Sequence, residues 1–141
     1  MRFWDASVVV PLLLDEPRSA EVGAIRQTDP DIVVWWGTRI ECWSAISRRV
    51  REGLLSGDER AATIELFGHF FSWVTEIQPA EQLRLRAERL LSVHPLRAAD
   101  ALQLAAALIW SDDRTRDIAF VCLDARLREA AVREGFSVCP E

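Results

Sequence analysis

The chain has 141 residues, half of them hydrophobic and 28% charged, with a formal net charge of −5. That suffices for one compact domain with a real core, so a single domain over 1–141 is expected. The longest apolar stretch, Ala98 to Trp110, is interrupted by Asp100 and Gln103 and is too short to span a bilayer. The acidic residues Asp5, Asp15 and Glu16 exclude a signal-peptide reading, so a cytoplasmic location is expected.

The negative charge weighs against a general nucleic-acid-binding face. All 17 basic residues are arginine, however, and arginine grips phosphate bidentately, so local patches remain available.

Phe3-Trp4 before Asp5 reads as a short strand, followed by a helix from Ser7 to Leu14 that ends near Pro17. Arg18 to Gln27 is a second helical stretch, and Asp29-Pro30-Asp31 a turn. Ile32 to Trp35 is wholly apolar and β-branched, the pattern of a buried parallel strand. Thr38 starts a helix that runs to about Glu52 and is closed by Gly53; Ser56 to Ser72 is another. Trp73 to Ile77 is a candidate strand. Pro79 then opens a helix with Leu83, Ala87, Leu90 and Leu91 on one face. His94-Pro95 punctuates before a mostly buried helix from Leu96 to Trp110. Ile118 to Leu123 is a strand, Asp124 to Glu134 a helix stopped by Gly135, and Phe136 to Val138 a last short strand. Strands alternating with helices predict an α/β fold with a parallel sheet of about five strands. Right-handed crossovers bring every strand's carboxyl end to one rim, where open α/β sheets bind their ligands.

Four carboxylates fall at or near that rim. Asp5 and Asp124 each end a strand and precede a helix, so each is also a natural helix cap. Glu41 follows the second strand within one helical turn; Thr38-Arg39-Ile40-Glu41 also has capping-box spacing, which would turn Glu41 back on its own helix. Asp100 is the most informative, a charge in the run Ala98-Ala99-Asp100-Ala101-Leu102-Gln103-Leu104. Burying it costs several kcal/mol, on the order given for unpaired ions, unless it is paired. An ion pair with Arg97 or the dipole of the helix start would serve, as would a cation. Carboxylates with few nitrogen or sulfur donors nearby suit a hard ion such as Mg²⁺ or Mn²⁺. Cys42, Cys122 and Cys139 form no CxxC pair, and with two histidines they build no zinc site. Cys42 and Cys122 read as buried free thiols.

The blocks Phe3-Trp4-Asp5-Ala6-Ser7, Thr38-Arg39-Ile40-Glu41, Leu96 to Ala105 and Val121-Cys122-Leu123-Asp124-Ala125-Arg126-Leu127 resemble, in order and spacing, the successive motifs of PIN domains. Within that family the compact single-domain form is similar to the VapC toxins of prokaryotic toxin–antitoxin pairs. The resemblance implies a three-layer sandwich with helices on both faces of the sheet, and a Mg²⁺- or Mn²⁺-dependent endoribonuclease. It carries metal binding onto Asp5, Glu41, Asp100 and Asp124, and a supporting role onto Ser7. It also implies hydrolysis of RNA by metal-activated water, a homodimer, and a small VapB-like antitoxin as partner.

Arg39, Arg48, Arg49 and Arg97 are candidate phosphate contacts. Of the clustered tryptophans, Trp35 is expected in the core, and Ile64 to Trp73 carries apolar groups on more than one helical face, enough to pack on the body and meet a partner. Two rival readings stay open: a PIN nuclease that is not a toxin, and a non-catalytic RNA- or protein-binding module. A phosphorylated receiver domain lacks its lysine here, and neither a Gly-rich phosphate loop nor a GxSxG turn is present.

Overall fold

The computed structural model describes residues 1–141. In chain order the elements are β1 (Arg2–Trp4), α1 (Ala6–Leu13), α2 (Ser19–Thr28), β2 (Ile32–Trp35), α3 (Thr38–Arg51) and α4 (Gly57–Trp73). They continue with β3 (Thr75–Ile77), α5 (Glu81–Val93), α6 (Ala98–Trp110), β4 (Ala119–Val121), α7 (Ala125–Arg133) and β5 (Ser137–Cys139). The five strands pair in parallel in the order β3-β2-β1-β4-β5, with Arg2 opposite Ile32 and Phe3 opposite Phe120. The expected parallel sheet of five strands is therefore present.

Side-chain alternation along the strands divides the core into two layers. Trp4, Ile32, Val34 and Val121 pack with α1, α2, α3 and α4 on one face. Phe3, Val33, Trp35 and Phe120 pack with α5, α6 and α7 on the other. Both faces are covered, so the strands can be apolar throughout, and all four residues of β2 are buried. Phe3 and Phe120, neighbours across the β1–β4 pairing, stack at 5.5 Å between centroids. The alanines of α6 let it lie close on the sheet: Ala101, Ala105, Ala106 and Ala107 are all fully buried.

Helix starts follow local chemistry. Asp5 caps α1 and Asp124 caps α7, while Ser56 and Glu59 form a reciprocal capping box on α4. On α5 the apolar face holds Leu83, Ala87 and Leu90, but Leu91 is 42% exposed and lies off it. The stripe is thus narrower than its four apolar residues suggest. No helix is long and apolar enough to cross a membrane. The three cysteines are free thiols, with Cys42 and Cys122 buried as expected.

Leu90→Ala, at a site with no exposure, is expected to cost about 2–5 kcal/mol in urea denaturation. Leu91→Ala, one residue on, is expected to stay within about 0.5 kcal/mol of the parent.

Candidate functional site

β1 and β4 are neighbours, yet their following helices lie on opposite faces, α1 on one and α7 on the other. The chain therefore parts beyond these two strand ends and opens a crevice there. Asp5 directly follows β1, and Asp124 lies three residues past the end of β4.

Asp5 is buried, only 4% exposed. Its backbone N–H donates to the carbonyl of Val121 (3.0 Å), and its Oδ2 accepts from the Ser7 N–H (3.0 Å). The Cys122 thiol lies 3.5 Å from the same oxygen. The hydroxyl of Ser7 accepts from the Leu123 N–H at 2.9 Å, so Ser7 joins the start of α1 to the segment leaving β4. Burial raises the Asp5 carboxyl above its ordinary range, against the hydrogen bonds from Ser7 and Cys122 that pull it down. Asp124 is exposed; its Oδ1 accepts from the Leu127 N–H at 2.9 Å and its other oxygen has no partner in the protein. Capping and a ligand role are compatible in such a group, since a carboxylate has lone pairs to spare.

Glu41 does not close a capping box. The residue before α3 is Gly37, with no side-chain cap bond, so Thr38 already lies inside the helix. Glu41 faces α6 instead, and its Oε1 accepts from Gln103 Nε2 at 2.9 Å. The same amide donates to the Thr38 hydroxyl (3.0 Å), which in turn lies 3.3 Å from Gln103 Oε1. Gln103 and Thr38 have no exposure at all. This buried bridge ties α3 in one layer to α6 in the other and holds Glu41 at the sheet's edge. Burial, then the charges of Asp5 and Asp100, push the Glu41 carboxyl up to about 7.

Asp100 lies in the first turn of α6, three residues before Gln103, and is half-buried. It is not ion-paired with Arg97. Burial and the charge of Asp124 raise its carboxyl; the Arg97 backbone and the charges of Arg97 and Arg126 lower it by less. None of the four carboxylates belongs to any salt bridge, whereas Glu16, Glu21, Asp29, Glu81, Asp113, Glu129 and Glu134 each have an arginine partner.

The fold thus gathers Asp5, Glu41, Asp100 and Asp124 within electrostatic reach of one another. It does not close them into a cage: no three His, Cys, Asp or Glu side chains converge to hold a metal ion. The all-oxygen, mutually repelling set nonetheless fits a hard divalent ion, which binds through one or two carboxylates and keeps several waters. Among the arginines, Arg49 pairs with Glu16, and Arg39 lies over Phe67 and Phe71 at 5.3 and 5.7 Å. Arg48 and Arg97 are exposed and outside any ion pair, as is Arg126, which sequence reasoning passed over. Gln103 and Thr38 were passed over too. The signal for Gln103 was the one that marked Asp100: a polar side chain in an apolar helical run.

No protein-family model and no curated protein matches the sequence. Among solved structures the chain is similar to "Crystal Structure of FitAcB from Neisseria gonorrhoeae", with a TM-score of 0.68 and 18% identity over 98% of this chain and 96% of that one. At that identity the likeness is one of fold.

The raised carboxyls give stability a definite pH dependence. Burial and its carboxylate neighbours push Glu41 up to about 7 in the metal-free folded chain, from an ordinary value of 4.5 when unfolded. Its contribution is fully present below 4.5 and is lost as pH rises through 7; Asp5 and Asp100 shift in the same direction. Thermal melts in EDTA are expected to fall from pH 5 to pH 8, Glu41→Gln is expected to flatten that fall, and Mn²⁺ to reverse it at pH 8.

Proposed function

We propose that this protein is a divalent-cation-dependent endoribonuclease, with Asp5, Glu41, Asp100 and Asp124 as its cation-binding set. One observation carries the reading: four carboxylates, none ion-paired, lie near the β1–β4 crevice, where the charges of Asp5 and Asp100 act on Glu41 and that of Asp124 on Asp100.

A Mg²⁺ or Mn²⁺ ion bound there would neutralise charge on a phosphoryl oxygen and acidify water. Asp5, Asp100 and Asp124 hold the ion on this reading, and Glu41 either binds it or orients the attacking water. Gln103 holds Oε1 of Glu41 by a hydrogen bond and leaves Oε2 free for the ion or for a proton from water. Ser7 keeps Asp5 aimed by tying α1 to Leu123. Arg97 and Arg126 are placed to meet an RNA phosphate beside Asp100. Attack by water, with no use of the RNA 2′-hydroxyl, leaves a 5′-phosphate and a 3′-hydroxyl.

The toxin role in a VapBC-type pair belongs to the same proposal. Its support is an apolar surface on α3 and α4, where Ile40 (66% exposed), Trp43, Ile64 and Leu66 stand in solvent beside buried Phe67 and Phe71. Such a patch suits a VapB-like antitoxin or a second copy of the chain. A non-catalytic RNA- or protein-binding module is the second reading, favoured by the lack of three converged ligands.

Purified protein, freed of any partner, is expected to cut RNA with Mg²⁺ or Mn²⁺ and to stop in EDTA. Asp100→Asn should lose more than roughly 10²-fold in rate while keeping its fold. Gln103→Leu, which removes the hydrogen bond to Glu41 and the bridge to Thr38, should lose roughly 10- to 100-fold in activity or metal affinity. RNA ending in a 2′,3′-cyclic phosphate would sink the water mechanism, and cutting that survives EDTA would sink the cation.

A further inference from the structure

Beside the carboxylates, on the same edge of the sheet, lies a cavity of about 460 Å³. Its walls come from the end of β2 (Trp35), the turn after β3 (Pro79, Ala80), the start of α5 (Leu83) and Leu102 of α6. Leu102 lies on α6, the helix that also carries Asp100 and Gln103, so the cavity and the candidate site share that helix. The volume is within the range of ~300–1,000 Å³ typical of small-ligand clefts.

Two N–H groups at or near this cavity have no acceptor in the protein. Trp35 is buried, 7% exposed, yet its indole N–H has no acceptor in the protein and is not sealed in the core as the orphaned N–H of Trp4 is. The Gly37 backbone N–H beside it also donates to nothing. A Cβ on Gly37 would lie 2.4 Å from the Trp35 indole nitrogen, so only glycine lets the ring sit where it does. At the cavity's mouth Glu81 and Arg84 pair with each other and are exposed, offering an acceptor and donors to an incoming group. Apolar walls, a spare indole donor and a carboxylate–guanidinium pair at the mouth match a nucleobase, with its π-faces and its hydrogen-bonding rim.

We propose that this cavity binds one unpaired base of the RNA, a nucleotide next to the phosphate held at the carboxylates, and so sets where the strand is cut. The inference rests on the nuclease reading for its role in cleavage, but binding of the base does not require the cut. The base lies against Trp35 and Leu102, the Trp35 N–H meets one of its acceptors, and Glu81 with Arg84 reads its outer edge.

Two measurements on the full chain test it. The first is an NMR titration with adenosine, guanosine, cytidine and uridine 5′-monophosphates, following the indole N–H resonances. The second is cleavage of RNA carrying one abasic nucleotide, moved position by position around the cut. The expected result is a saturable shift of the Trp35 indole with at least one nucleotide, and its loss in Leu102→Trp, whose ring fills the cavity. One abasic position should slow the wild type by roughly tenfold or more and should not slow Leu102→Trp further. Arg84→Ala, an exposed change that leaves the core untouched, should alter which nucleotide binds best. The proposal is overturned if no nucleotide moves Trp35, or if abasic RNA slows both proteins equally. Should nucleotides move Trp35 while RNA stays uncut, the nuclease reading fails and the base pocket stands. Cleavage with a silent Trp35 gives the reverse.

Discussion

The buried side chain of Gln103 joins the two halves of this fold at the edge where its function is expected. One amide donates to Thr38 and to Glu41, so α6 on one face of the sheet is fixed against α3 on the other. A buried amide is tolerated only when its groups are satisfied. Here the satisfaction comes from the other helical layer, which makes the relative height of the two layers part of the site's geometry. Glu41 and Asp100 belong to different layers, and their distance from each other depends on this bridge.

The second constraint is electrostatic. Elsewhere on the surface arginines neutralise several acids: Arg86 holds Asp113, Arg89 holds Glu134, and Arg49 reaches Glu16. At the β1–β4 crevice the pattern reverses. Asp5 is buried without a cation, and Glu41 and Asp100 feel each other's charge and that of Asp5 or Asp124. Repulsion of that kind lowers the stability of the metal-free chain, and the fold carries it through a well-packed sheet with both faces covered. Four carboxylates near one another but not locked into a cage suit an ion that keeps its own waters and leaves room for a substrate.

Much of this was legible in the sequence. The bounds of β2 follow from its unbroken apolar run, and Asp5 and Asp124 sit at strand ends because the pattern changes beside them. Asp100 stood out as a charge among alanines. What misled was local spacing. Thr38 and Glu41 are three apart, as in a capping box, but the cap position is Gly37, Thr38 is the first residue of the helix as expected, and the carboxylate turns to α6. Helix ends are set by backbone geometry that spacing alone does not specify. Gln103 was hidden for a different reason. Its partners lie 62 and 65 residues away, and no periodicity reports a contact made across two layers. Leu91 erred by angle: adjacent to Leu90, it falls outside the stripe that packs on the sheet.

The central claim, that the carboxylates meet in order to hold a cation, is tested most directly by calorimetric titration of Mn²⁺ into the metal-free protein near pH 7, repeated in two buffers of different ionisation heat. Binding should be saturable and should release protons, because Glu41 is part-protonated there and gives up its proton to the ion. Asp5→Asn and Asp100→Asn should each weaken it. A chain that is folded and binds no Mn²⁺, or that binds it equally well without Asp5 or Asp100, would contradict the account.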